Sequence, residues 1–144
     1  LYERVLSADT DNTEALAGLA MTEVQRAVRW SGGPASVPAT LGAALADGRL
    51  RSQNAQAALD RAERLLARAN ANDDSAVLSQ ARGLLASARG DLASAAKAYR
   101  RALKRDPSAF GAMINLADVL SLQRQETGAL HLLESAYVGL SASY

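Results

Sequence analysis

No cysteine occurs in the 144 residues, and histidine occurs once, at His131. The first absence excludes a disulfide framework, thiolate metal ligation and a thiol nucleophile. The second leaves no histidine pair for a metal and no Cys-His couple. Aromatic residues make up only 4% of the chain, β-branched residues are sparse, and the three prolines lie outside the strongly periodic stretches, a balance that favours helices over strands. No apolar run approaches the length of a bilayer span and no secretory signal is visible, which leaves the compartment open between cytoplasm and periplasm. Neither Gly-x-x-x-x-Gly-Lys nor a strand leading into Gly-x-Gly-x-x-Gly appears, so a phosphate-binding loop is absent from the sequence. Asp73 and Asp74 form an acidic pair suited to capping the helix that follows, whereas a metal would need more carboxylates than their neighbourhood offers. Together these absences point away from an enzyme. No catalytic, cofactor-binding or metal site is expected.

What is present is alanine and leucine in helical rhythm. In the segment GDLASAAKAYRRALKRDP, Gly90 ends one helix because glycine tolerates the left-handed conformation, and Asp91 caps the next. Leu92, Ala95, Ala96, Tyr99, Ala102 and Leu103 then share one face, while Lys97, Arg100, Arg101, Lys104 and Arg105 point elsewhere. Small residues at 95 and 102 admit a neighbouring helix, Tyr99 fills the gap between them, and Pro107 stops the helix. The arrangement repeats 34 residues on: Ala95 maps to Ala129, Ala102 to Ala136, Tyr99 to Leu133 and Gly83 to Ala117. Leu19 and Ala20 follow Asp9 at the same distance as Leu116 and Ala117 follow Asp106, and the offset between the two aspartates implies about 29 extra residues between the first two repeats.

In these residues the chain resembles the tetratricopeptide repeat family, a helix-turn-helix unit with this period. Gly83, Ala95, Tyr99, Ala102 and Pro107 match its pattern, as do Leu116, Ala117, Ala129 and Ala136. Ser79 and Met113 stand where the family has a Trp, Arg82 where it has a Leu, and Arg124 where the last unit would carry its turn glycine. The resemblance implies an all-α fold, a right-handed superhelical stack of antiparallel helix pairs. Helices are expected at about 1–8, 13–29, 53–70, 75–89, 91–105, 108–123 and 126–138. They divide into a first unit at 1–30 and 53–74 flanking an insertion at about 31–52, a second at 75–107 and a third at 108–139. Ser36 and Pro38 predict a short extra helix near 37–47 within the insertion, and Trp30 at its root is expected to pack rather than to contact a ligand. Leu1 is not methionine, and 1–12 reads as the second half of a helix; a longer natural chain, continuing in both directions, is expected.

Charge is unevenly placed. Residues 49–105 hold twelve Lys or Arg against five Asp or Glu, although the net charge is only +1. These cations sit mainly on second helices, the convex side in the family, without aromatic residues for base stacking, so a solvated face with scattered ion pairs is expected rather than a nucleic-acid site. The family binds on its concave side, lined by first helices. Carried over, its positions fall on Met21, Gln25, Gln80, Leu84, Ser87, Ile114, Asn115, Asp118, Ser121 and Leu122. Only Asn115 answers to a clamp for a C-terminal carboxylate, and no lysine stands beside it. The function implied is a non-catalytic scaffold holding a peptide or helix of a partner protein, without membrane insertion and with end-to-end self-association through uncovered apolar ends. Alternatives are an export scaffold similar to the repeat region of bacterial cellulose synthase operon protein C, and a repeat region attached to an enzyme domain beyond this sequence.

Overall fold

The computed structural model describes residues 1–8, 12–30, 45, 49–69, 72–124 and 126–142. Among them are seven α-helices, one 3-10 turn and no strand: α1 (Tyr2–Ala8), α2 (Thr13–Trp30), the turn Arg49–Arg51, α3 (Gln53–Ala67), α4 (Ala76–Ala88), α5 (Leu92–Arg105), α6 (Phe110–Leu122) and α7 (Glu126–Ala142). The expected helix near 37–47 and the side chain of Trp30 lie outside the described residues.

Local chemistry sets the helix ends. Asn12, Ser52 and Asp91 each accept a backbone N–H three residues on, from Ala15, Ala55 and Ser94, at 2.9, 3.2 and 3.1 Å. At the end of α4, Asp91 N–H bonds to Ala86 C=O and Gly90 N–H to Ser87 C=O, with Gly90 at φ 81°, a Schellman close that satisfies the last carbonyls. Between α5 and α6, Asp106 holds the corner by accepting both the N–H and the hydroxyl of Ser108.

The helices pair as antiparallel neighbours, α2 with α3, α4 with α5, and α6 with α7. The first members, α2, α4 and α6, also touch one another in order and form an inner layer. The second members pack on their partners and on the next inner helix, and no two of them make a comparable contact. Alanine makes this closeness possible. Ala55, Ala58, Leu59, Ala62 and Leu66 bury one stripe of α3, and Ala95, Ala96, Tyr99 and Ala102 one stripe of α5. One apolar cluster joins α2, α3 and α4, and another joins α5, α6 and α7. Tyr99, 1% exposed, presses its ring on Gly83, where a Cβ would lie 2.7 Å from it.

One departure from the sequence reading has a local cause. Helix α7 runs to Ala142 rather than ending near 138, because nothing in VGLSA stops it and Gly139 lets the Phe110 ring lie directly on its backbone. Ser79, in the family's Trp position, is 2% exposed, and its hydroxyl finds no hydrogen-bond partner among the described residues. A large ring is thus replaced by a small group enclosed in apolar packing.

Candidate partner-binding surface

Helical spacing assembles the inner face. Met21 and Gln25 are one turn apart on α2, Gln80, Leu84 and Ser87 follow on α4, and Ile114, Asn115, Asp118, Ser121 and Leu122 occupy a single side of α6. Their environments differ. Met21 and Leu84 are half-buried against the first apolar cluster, and Gln25 is exposed. Gln80 reaches across to α6, its Nε2 against Gly111, where a Cβ would come within 2.9 Å of it. The side chain at 111 is absent, so a polar group of α4 fills the seam between two inner helices.

One expected groove residue does not belong to the surface. Ser87 is fully buried; its hydroxyl donates to the Gly83 carbonyl at 2.8 Å and lies 3.5 Å from the Tyr99 hydroxyl. The missing side chain at Gly83, one turn earlier, draws Tyr99 inward, and the phenol closes over Ser87. Burial pushes the Tyr99 pKa up to about 12, with the nearby Asp118 carboxylate adding to the rise, so the phenol stays neutral.

Helix α6 carries the most accessible part of the face. Ile114 and Leu122 are each 38% exposed, with half-buried Asn115 and exposed Asp118 and Ser121 among them. Asp118 keeps more than a third of its surface open, yet the enclosure of its carboxyl raises its pKa above the ordinary 3.8. The result is two apolar side chains on either side of an exposed carboxylate whose ionised form is disfavoured by partial enclosure.

Ion pairs at the surface tie the helices together. Arg89 reaches from the end of α4 to Asp60, Glu63 and Gln56 on α3, at 2.8, 3.1 and 3.0 Å, and Glu23 of α2 takes both Arg26 and Arg61. Between α3 and α4 a cleft of about 430 Å³ opens, lined by the apolar Leu66, Leu85 and Ala86 and by the charged Glu63, Arg82, Arg89 and Asp91. Among the described residues no cluster of His, Cys, Asp or Glu could hold a metal ion, and no helix is long and apolar enough to cross a membrane.

Stacked antiparallel helix pairs, each in contact with its neighbours along the chain, make the described residues an all-α helical-repeat solenoid. Residues 76–119, from α4 into α6, match the family model described as tetratricopeptide repeat. No curated protein matches its sequence. Among solved structures, the crystal structure of MamA is similar at 20% identity and a TM-score of 0.48, over 99% of this chain and 88% of that one.

Proposed function

We propose that this chain is a protein-interaction scaffold that holds a peptide or helix of a partner protein along the inner face of α2, α4 and α6, each unit of the expected division contributing its first helix. Repeats of the family that residues 76–119 match serve as surfaces for proteins or peptides. The observation that carries the reading is the exposed pair Ile114 and Leu122 with the exposed Asp118 between them on an inner helix. Apolar anchors flanking one directional polar group suit a short amphipathic segment. Peptides selected from a displayed library against this chain should lose about tenfold in affinity when Asn115→Ala and Asp118→Ala are combined, a loss typical of interface anchors. They should keep their affinity in Arg100→Ala with Arg101→Ala. Selected peptides indifferent to the first pair would move the site off the inner face.

Self-association is supported by a separate observation. On α7, Leu130, Leu133, Tyr137 and Val138 are 58, 44, 74 and 65% exposed, an apolar seam on the outward side of the last described helix. Sedimentation velocity should show concentration-dependent dimers that Leu130→Ser with Tyr137→Ser removes. A strict monomer at high concentration would reject this second reading and leave the first untouched.

A further inference from the structure

We propose that the outer face of α5 is a second docking site, built for an acidic segment of a partner protein and independent of the inner groove. The segment YRRALKR places Arg100 and Arg101 one turn before Lys104 and Arg105, two adjacent rows of positive charge on one exposed side of the helix. With Asp74 from the turn before α4, these four side chains line a cleft of about 480 Å³.

The wall of that cleft is held in place. Asp73 accepts the Thr13 hydroxyl at 2.8 Å and the Ser75 N–H at 2.9 Å, and its own carbonyl accepts from Arg82 at 3.5 Å, so the turn is tied to both α2 and α4. Asp74 projects from this pinned turn to Arg105, with Arg105 Nε 3.8 Å from its Oδ1.

The charge is also uncompensated, in contrast to that of three other arginines. Arg26, Arg61 and Arg89 each have a carboxylate within 3.4 Å. Arg100, Arg101 and Lys104 have none within 4 Å among the described residues, and both rows set like charges one turn apart, which costs helix stability. Complementing the helix dipole accounts for Lys104 and Arg105 in the last turn of α5, but that effect fades before Arg100 and Arg101. Carboxylates arriving from outside would relieve the repulsion and pair with guanidinium groups in two-pronged geometry. Within the cleft, the lining contains no aromatic side chain on which a base could stack, and Asp74 in the wall repels a continuous phosphate backbone. An acidic protein segment needs no stacking surface, and its carboxylates stand on flexible side chains that can turn away from Asp74 toward the arginines.

The test is fluorescence anisotropy on the chain with a labelled oligoglutamate peptide, an oligoglutamine control and a thymidine oligonucleotide, at about 50 and 200 mM salt. The glutamate peptide should bind more tightly than either control. Arg100→Ala with Arg101→Ala should weaken it about tenfold, Asp74→Asn should tighten it by freeing Arg105, and Lys97→Ala, outside the cleft, should change it less than about twofold. Asn115→Ala with Asp118→Ala should leave it unchanged, which separates this site from the inner face. Absence of oligoglutamate binding at the lower salt, tighter binding of the oligonucleotide, an equal loss in Lys97→Ala, or weakening by Asp74→Asn would each overturn the proposal. Circular dichroism of every variant shows whether the fold is retained; all the replaced side chains of this site are exposed.

Discussion

Gly90 and Arg124 occupy equivalent turns of successive units, and both have positive φ, 81° and 62°. Glycine adopts this conformation without steric cost, whereas the arginine Cβ crowds the following carbonyl. Arg124 is retained there by the same bond that closes the earlier turn, its N–H donating to Ser121 C=O at 3.0 Å as Gly90 N–H donates to Ser87. Arg124→Gly should therefore stabilise the chain by about 0.5–1 kcal/mol, relief of strain outweighing the extra freedom of glycine in the unfolded state; the urea midpoint would measure it. Asp118 gives a pH signature. Its folded pKa is raised by burial, so the folded state binds the proton more tightly than the unfolded chain, and stability falls as pH rises through the interval above 3.8. Asp118→Asn should raise the melting temperature at neutral pH, and the difference should vanish in acid, where both states are protonated. A variant equally shifted at both extremes would show that packing, not charge, sets the effect. The sequence marks position 124 as irregular and position 118 as facing the groove. It misplaces Ser87, because counting along a helix does not register how far a missing side chain at Gly83 lets Tyr99 advance.

Helices α3 and α5 show what alanine does at the level of an element. A stripe of Ala95, Ala96 and Ala102, all 3% exposed or less, lets the neighbouring helices come close, and Tyr99 packs its ring between them against Gly83. Ala95→Leu should cost about 1–3 kcal/mol by overpacking, read from thermal unfolding of the variant. A neutral result would mean that α4 can retreat from α5. Helical period, caps and the small residues at 95, 102, 129 and 136 make the elements legible in the amino-acid sequence. Their order and approximate limits agree with those of the folded chain, whereas the length of α7 does not show. No breaker in VGLSA marks its end, and the contact that favours its extension, Phe110 on Gly139, joins residues far apart in sequence.

At the scale of the molecule the described residues form two apolar clusters and not one enclosed core. Apolar clusters pass from one helix pair to the next, each pair buried by its neighbours alone. Amide hydrogen exchange should accordingly be slowest in α4 and α5, which are covered on both sides, and fastest in α1 and α7. Uniform protection along the chain would indicate all-or-none opening instead. The layering also fixes how the array can deform. Along the inner layer α2 packs broadly on α4, whereas α4 and α6 meet at few points, and close packing makes the first junction the stiffer of the two. A bulky segment would therefore be admitted by spreading α6 from α4, and the thickness of the guest, as well as its chemistry, becomes a criterion of selection.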